Sequence, residues 1–311
     1  MAYYQFSKHF DAFFKRLNPS PTFGTQASSE YASIKGLIED RQGLAAGLAP
    51  ECFLQGSYKQ STAIYTINDI DIIALCQLWQ PGDGGGGGRT YGRHEIFDTI
   101  AAPLLADRRY RDKVYYTQTS MCIKVDLGIK VEILPVVFRS GNSDAWNEPF
   151  RLWRPERGQW EDGFARYHQA YLSIKNADDR TGGNFIPAVK VMKHIRSLFG
   201  LDAVSFHIEC LLHSMPDSVF CGSPAEYIPK MLQHIAAKPV DGWAADACKT
   251  PCGDRYIFVA DEWSEPSWRR FHDVINTLAT VAEAAAAFSD YGLALDYWQT
   301  VLGKDYFPAN A

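Results

Sequence analysis

Residues 56–71, GSYKQSTAIYTINDID, restrict the fold more than any other part of the chain, because they join a small flexible loop to two closely spaced carboxylates. Gly56 lets the backbone approach a phosphate closely, and Ser57 offers both an N–H and a hydroxyl. Alternate side chains of a strand share one face, so Asp69 and Asp71 project together and Ile70 points the other way. Adjacent carboxylates repel each other unless they share cations, and hard oxygen ligands of this kind suit Mg²⁺. The stretch therefore predicts a phosphate loop followed by a divalent-metal site.

The order of these pieces carries a family resemblance. Gly-Ser, a polar spacer ending in Thr62, and then Asp-Ile-Asp resembles the active-site signature of the DNA polymerase β-like nucleotidyltransferase superfamily. Within it the chain is similar to the CD-NTases, the bacterial relatives of cyclic GMP-AMP synthase and oligoadenylate synthase. Each piece alone has a plainer interpretation, since Gly-Ser is common in turns and Asp-x-Asp at solvated strand ends.

The resemblance implies an α+β, two-lobed polymerase β-like nucleotidyltransferase fold. A catalytic lobe with a mixed sheet and the N-terminal helix is expected over residues 1–158. A helical C-terminal lobe that closes over the nucleotide is expected over residues 159–311. The length of 311 residues is sufficient for two lobes of this kind.

A third carboxylate is expected in residues 114–138, which are dense in β-branched and aromatic residues and predict strands with a turn or bulge at Gly128. Alternation places Glu132 on the face opposite to the apolar set Val131, Ile133 and Val137. The segment VEILP resembles the third-carboxylate motif of the family, although the usual residue there is Asp. Asp126 has the same parity as Glu132, so it remains the alternative.

Two further residues are expected at the nucleotide. Helices are predicted over residues 186–199 and from Ser205 onward, with Ser205 as an N-cap. The resemblance implies that Lys193 and Ser205 reach the triphosphate, together with the nucleotide-binding residues Gly56, Ser57 and Thr62. Without the resemblance, Lys193 has the pattern of an ordinary exposed helix lysine. Capping and phosphate binding are compatible at Ser205, because a helix N-terminus attracts anions.

The resemblance also implies the chemistry. Two Mg²⁺ ions, with Mn²⁺ as a possible substitute, would be held by Asp69, Asp71 and Glu132, which are the expected catalytic residues. NTPs, ATP or other purines, would be joined into a cyclic di- or trinucleotide that activates a separate effector in antiphage defence. Some relatives need a HORMA-type activator protein. The alternatives are a nucleotidyltransferase that acts on RNA or a protein acceptor, and a silent nucleotide-sensing protein, against which the intact Asp69/Asp71 pair argues.

Charge and hydropathy exclude several other classes. A formal net charge of −5 argues against a protein that coats DNA or RNA, so no obligatory nucleic acid is expected. No apolar run approaches the ~20 residues needed to span a bilayer. The N-terminus MAYYQFSKHF lacks the features of a signal peptide. We therefore expect a cytosolic protein without a membrane partner.

The 7 cysteines are odd in number and scattered, which fits reduced thiols better than a disulfide framework. The spacing of Cys248 and Cys252 could hold zinc, and three more candidate ligands are close in sequence: His207, Cys210 and His213. No second matched pair completes a zinc motif.

Periodicity predicts the remaining elements. Amphipathic helices are expected over these ranges: 3–17, from 28 or 29 to about 47, 94–105, 160–175 and 265–290. Residues 140–157 are expected to form an irregular crossing between the lobes. The five glycines 84–88 predict a flexible surface loop. The alternative is that this loop lets Arg89 and Arg93 swing over a nucleotide or engage a partner.

Overall fold

The structure, a computed structural model, describes residues 2–79, 91–138, 149–240, 248–258 and 263–310. The chain divides into two compact units. The helical unit comprises Met1–Asn18, Ser61–Tyr65 and His168–Ala311. The sheet unit comprises Pro19–Gln60 and Thr66–Tyr167.

This division differs from the expected 1–158 and 159–311. The N-terminal helix α1 (Ala2–Leu17) belongs to the helical unit, because its buried aromatic side chains pack in that core: Phe6, Phe10 and Phe13. The short segment Ser61–Tyr65 also belongs there, although its neighbours on both sides lie in the sheet unit. The middle of the loop between the Gly-Ser and Asp-x-Asp motifs thus belongs to the helical unit.

The sheet unit contains the mixed sheet. Its strands are β1 (Glu51–Gln55), β2 (Asp69–Trp79), β3 (Val114–Tyr115), β4 (Ile123–Asp126), β5 (Lys130–Phe138), β6 (Phe150–Arg154) and β7 (Gln159–Gly163). They are ordered β1-β2-β5-β4-β3, and β6 pairs with both β5 and β7. Only the β2–β5 pair is parallel among the described pairs. The predicted mixed sheet is therefore present.

One face of the sheet is covered by helices α2 (Pro21–Ile38) and α4 (Arg93–Ala106). The alternation of β2 and β5 supplies its buried side chains, which include Ile70, Ile72, Val131, Ile133 and Val137. The predicted apolar face of residues 131–137 is confirmed. Because strands alternate, Asp69, Asp71 and Glu132 are directed to the opposite face.

Helix α2 begins earlier than predicted. Pro21 occupies its first turn, and the Ser20 side chain accepts a hydrogen bond of 3.1 Å from the backbone N–H of Phe23. Proline is well suited to the first turn of a helix, where its missing N–H costs no hydrogen bond. The proline-containing segment that ends α1 therefore also begins α2, at Pro21.

Two expectations from the sequence are wrong in part. They are the irregular crossing at 140–157 and the helix from 160. Phe150–Arg154 and Gln159–Gly163 form an antiparallel hairpin, and Gly158 in its turn has a φ of +63°. Helix α5 (Ala165–Lys175) starts only after this hairpin. Trp160 is buried against Trp153 across the strands, so the aromatic spacing that suggested a helix belongs to a sheet.

The helical unit is completed by the following elements: α6 (Asp178–Thr181), α7 (Phe185–Leu198), α8 (Ser205–His213), α9 (Pro224–Ala236), α10 (Glu265–Ala287) and α11 (Tyr291–Leu302). In the sheet unit a single-turn helix, α3 (Gly56–Lys59), follows β1. Among the described helices, none is long and apolar enough to cross a membrane.

The glycine run 84–88 and Arg89 lie outside the described residues. Arg93 is described, and it is buried at the start of α4. Its guanidinium donates to the backbone carbonyls of Thr117 and Ser120 at 2.9 and 2.5 Å and lies 3.9 Å from the centroid of the Phe97 ring. These contacts hold Arg93 within the sheet unit, which argues against its swinging over a nucleotide.

Candidate active site

Gly56 is placed where only a glycine fits. It follows β1 directly and has a φ of +71°. A Cβ atom built on it would collide with the carboxylate of Asp71, lying 2.9 Å from its Cγ. The loop backbone therefore lies against the second carboxylate of the Asp-x-Asp motif. A side chain at this position would be strained and would displace Asp71.

The register of β2 and β5 brings the three expected carboxylates to one face. Asp71 pairs with Glu132, and Asp69 pairs with Lys130. Because the strands are parallel and adjacent, paired residues point to the same side of the sheet. Asp69 and Asp71 on one strand thus share a face with Glu132 on the next. Alternation in the sequence predicts which face of the sheet Glu132 occupies. The strand register shows in addition that Glu132 lies opposite Asp71.

Asp126, the alternative third carboxylate, is on the same face but on the next strand. It pairs with Lys130, which in turn pairs with Asp69. Neighbouring strands are about 4.8 Å apart, so Asp126 lies about two strand spacings from Asp69. Glu132 lies one spacing from Asp71. The register therefore favours Glu132 by proximity.

The side chain of Glu132 already has neighbours. The ammonium of Lys124 lies 3.0 Å from its Oε1, and Lys124 is its cross-strand partner on β4. Cys122 is buried beside it. Burial, together with the negative charge of Glu132, raises the pKa of the Cys122 thiol to about 12, so the thiol is protonated near neutral pH. The Glu132 carboxylate thus has both the Lys124 ammonium and the Cys122 thiol as neighbours.

The donor set and register of this sheet face suit a divalent cation. Three carboxylates on one face of two adjacent strands are the hard oxygen ligands that Mg²⁺ and Mn²⁺ prefer. In the part of the chain that the structure describes, no three Asp, Glu, His or Cys side chains are gathered closely enough to hold a metal ion. The backbone positions of Asp69, Asp71 and Glu132 fit such a site.

Thr62 lies in a buried polar network of the helical unit. Its hydroxyl donates to Glu209 Oε1 at 2.7 Å and accepts from the Lys193 ammonium at 2.8 Å. Lys193 also donates to Glu209 Oε1 at 2.6 Å. The three side chains are almost entirely shielded from solvent. The network fixes the segment that links the Gly-Ser and Asp-x-Asp motifs to helices α7 and α8.

Glu209 is the centre of this network. Its second oxygen, Oε2, lies 3.1 Å from His168 Nε2. Burial by itself would raise the pKa of Glu209, but the positive charge of Lys193 and the hydrogen bonds from His168 and Lys193 outweigh it and lower the pKa to about 2. Glu209 is therefore ionised at neutral pH, although it is buried.

Lys193 and Ser205 are both engaged within the helical unit. The Lys193 side chain is 2% exposed, so it does not have the exposure that an ordinary helix lysine would show. The prediction that Ser205 caps α8 is wrong, because Val204 is the N-cap residue and no side chain caps this helix. Instead, Ser205 Oγ accepts a 2.9 Å hydrogen bond from the guanidinium of Arg196.

Helix α7 carries three cations at three-residue spacing: Lys190, Lys193 and Arg196. Lys193 is paired with Glu209. Among the described residues, neither of the other two forms an ion pair, and Lys190 donates to the amide oxygen of Asn18 at 2.7 Å. Burial lowers the pKa of Lys190, and the neighbouring ammonium of Lys193 lowers it further. This excess of positive charge favours an anionic ligand.

The zinc hypothesis gains no support. All seven cysteines are among the described residues and none forms a disulfide bond, as the sequence predicted. Cys210, Cys248 and His207 are buried, yet no three metal-binding side chains converge in the described ranges. His207 stacks on Trp263 with ring centroids 5.6 Å apart, as expected for a packing residue.

Sequence reasoning missed three polar residues around the proposed site: Glu209 and Arg196 in the helical unit, and Lys124 in the sheet unit. Glu209 stands in an apolar helix, and a lone acid within the pattern SFHIECLLH was the available signal. Arg196 and Lys124 gave no such signal. Their importance depends on partners brought together by helix packing and by strand register.

Two family models match the chain in succession. The model of the Second Messenger Oligonucleotide or Dinucleotide Synthetase domain matches residues 5–176, more than half of the chain. The chain belongs to this family. The model of the cGAS/DncV-like nucleotidyltransferase C-terminal helical domain matches residues 173–280. The protein is therefore a nucleotidyltransferase of the CD-NTase type, as its motifs predicted, and enzymes of this fold use divalent metal ions.

Individual CD-NTases are similar over most of the chain. The cyclic UMP-AMP synthase of Rhodothermus marinus is 22% identical over 274 residues, which cover 82% of this chain and 93% of that enzyme. The structure of the Rhodothermus marinus CdnE c-UMP-AMP synthase with Apcpp and Upnpp has a TM-score of 0.69 at 19% identity and covers 86% of this chain and 94% of that one. The Escherichia coli MS115-1 CdnC:HORMA-deltaN complex gives 0.70 at 16% identity, over 95% and 96%. These likenesses confirm the predicted two-part CD-NTase fold.

Proposed function

We propose that this CD-NTase is a metal-dependent synthase that joins nucleoside triphosphates, ATP or other purines, into a cyclic di- or trinucleotide. The observation that carries the proposal is the register of Asp71 against Glu132, with Gly56 packed on the same Asp71. A phosphate-sized loop and three carboxylates on one sheet face are the parts that nucleotidyl transfer needs.

In the sheet unit, Asp69 and Asp71 would hold two divalent cations, Mg²⁺ or Mn²⁺, and Glu132 would hold the one on the acceptor side. Such ions supply charge stabilisation to the attacking and the leaving oxygens of an in-line displacement. Glu132 would also help to accept the proton of the attacking hydroxyl. The carboxylates thus position the reacting groups and remove one proton, without forming a covalent intermediate.

Gly56 and Ser57 would bind phosphate oxygens of the triphosphate. Gly56 has no side chain of its own, so its backbone lies against the Asp71 carboxylate, and Ser57 adds an N–H and a hydroxyl. In the helical unit, Lys193, Thr62 and Ser205 are the proposed contacts to the β- and γ-phosphates. The Lys193 ammonium is 2% exposed and is held by Thr62 and Glu209, so a phosphate would have to open this network to reach it.

The biological role proposed is the production of a second messenger for antiphage signalling, read by a separate effector. The named Rhodothermus marinus relative is a cyclic UMP-AMP synthase, and the E. coli relative forms a complex with a HORMA protein. These relatives support a cyclic product and motivate a test for a HORMA-type activator. They are 22% and 16% identical to this chain, so base choice and partner have to be measured.

The test is incubation of the purified protein with all four NTPs and Mg²⁺, followed by chromatography and mass spectrometry of the products. A cyclic di- or trinucleotide is expected, and chelation of the metal should abolish it. The variant Asp69→Asn with Asp71→Asn should form no product and remain folded by circular dichroism. Labelling of the protein or of added RNA without a small product would instead support the alternative acceptors.

The identity of the third carboxylate is tested by a matched pair of variants. Glu132→Gln should lose at least about a hundredfold in turnover, as removal of a metal ligand or base costs several kcal/mol. Asp126→Asn should have a much smaller effect, because Asp126 lies one strand further away. The reverse ranking would assign the role to Asp126.

A further inference from the structure

Glu132 and Lys124 face each other across the β4–β5 ladder. They are directly paired in the antiparallel register, and the Lys124 ammonium lies 3.0 Å from Glu132 Oε1. Paired residues of adjacent strands are close and share a face, so this contact is set by the backbone. The ammonium is thus placed on the same face as Asp71, the cross-strand partner of Glu132 on its other side.

The pair is easily broken. The Lys124 side chain is 61% exposed and that of Glu132 is 27% exposed. An ion pair of this exposure is weak, because water screens the charges and the lysine loses rotamer freedom. Lys124 can therefore release the carboxylate to solvent at low cost, and a divalent cation with two charges attracts the same carboxylate more strongly.

We propose that Lys124 is a resident counter-ion of Glu132 that competes with the divalent cation for this carboxylate, so that it sets metal affinity and acts as a positioning residue for the third ligand. The proposal rests on the proposed function, since it assigns Glu132 to the metal. The register supports it, since it aligns Glu132 with Asp71 on one side and with Lys124 on the other.

The chain offers a matched control. Lys130 lies on the same face and is exposed, and it is the cross-strand partner of both Asp69 and Asp126. Within the described residues Lys130 forms no ion pair. It therefore brings a positive charge to the same face without holding a proposed ligand.

The experiment is direct titration of the full-length protein with Mn²⁺, monitored by the electron paramagnetic resonance signal of free Mn²⁺ and by calorimetry, without nucleotide. Lys124→Gln should tighten Mn²⁺ binding by up to roughly fivefold, the upper end of what an exposed ion pair contributes. Lys130→Gln should tighten it less. The gain of Lys124→Gln should shrink at high salt, since screening weakens the contact that is removed.

A double-variant cycle identifies the partner. In the Glu132→Gln background, Lys124→Gln should no longer tighten Mn²⁺ binding. Equal gains in Lys124→Gln and Lys130→Gln, or weaker binding in Lys124→Gln, would overturn the competition. If the wild-type protein binds Mn²⁺ but Lys124→Gln binds it equally well, only this proposal fails. If Asp69→Asn with Asp71→Asn leaves wild-type Mn²⁺ binding unchanged, the proposed metal site itself fails.

Discussion

Two lysine–glutamate pairs of this protein, one in each unit, differ in burial. In the helical unit, Lys193 and Glu209 are 2.6 Å apart with side chains 2% and 5% exposed. In the sheet unit, Lys124 and Glu132 are 3.0 Å apart, with side chains 61% and 27% exposed. The buried charges cannot separate without leaving one of them desolvated, whereas the exposed ones can separate into water. The same two residue types therefore form a fixed framework in one unit and an exchangeable contact in the other.

The largest expected effect comes from breaking the buried pair. Lys193→Met should lower the free energy of unfolding by about 3–5 kcal/mol, because it leaves the Glu209 carboxylate buried without its cation. Lys193→Met with Glu209→Met should recover much of this loss. The free energies of unfolding of the wild type and of these variants are measured by denaturant unfolding followed by tryptophan fluorescence. Lys190→Met on the same helix is the control, since among the described residues Lys190 donates to the neutral amide of Asn18 and forms no ion pair. An equal loss there would contradict the comparison.

The buried pair should also make stability depend on pH. Glu209 has its pKa lowered from 4.5 to about 2 by Lys193 and His168, so its contribution is fully present above pH 4.5 and is lost as the pH falls toward 2. The stability difference between the wild type and the Lys193→Met, Glu209→Met variant should therefore narrow over this window. Unfolding at pH 7, 5, 4 and 3 gives the difference. A constant difference would mean that Glu209 keeps its ordinary pKa.

A smaller loss is expected when a neutral member of the network is removed. Thr62→Val deletes a hydroxyl that bonds two charged groups, and should cost about 1.5–3 kcal/mol. Thr181→Val is the matched control, because Thr181 is equally buried but donates only to the backbone carbonyl of Lys175, at 2.7 Å. It should cost about 0.5–1.5 kcal/mol. If both variants lose the same stability, the charges of the network add nothing.

The smallest effect on stability is expected at the exposed pair. Lys124→Gln should change the free energy of unfolding by less than about 1 kcal/mol, because the contact is screened by solvent. This variant should nevertheless change Mn²⁺ affinity as proposed above. Thermal unfolding measured beside the Mn²⁺ titration separates the two properties. A loss comparable to that of Lys193→Met would remove the distinction between the two pairs.

The local pattern of the sequence determined a large part of this protein. The Gly-Ser and Asp-Ile-Asp motifs identified the superfamily, and the period of two placed Asp69, Asp71 and Glu132 away from the buried face. The helices α1, α4, α7 and α10 follow their apolar periodicity closely. The sequence-based prediction was wrong for the Trp-rich hairpin of β6 and β7, where an irregular crossing and the start of a helix were expected.

The tertiary structure decided what depends on pairing between distant residues. Alternation tells which face a side chain takes, but it carries no information on which residues of two strands are opposite each other. The parallel register of β2 with β5 therefore had to come from the fold, and with it the positions of Glu132 beside Asp71 and of Lys124 beside Glu132. The same holds for Glu209, whose partners Thr62 and His168 are 147 and 41 residues away in the chain. A charge at a given position is visible in the sequence, but whether it is buried, paired or exchangeable depends on which distant segment packs against it.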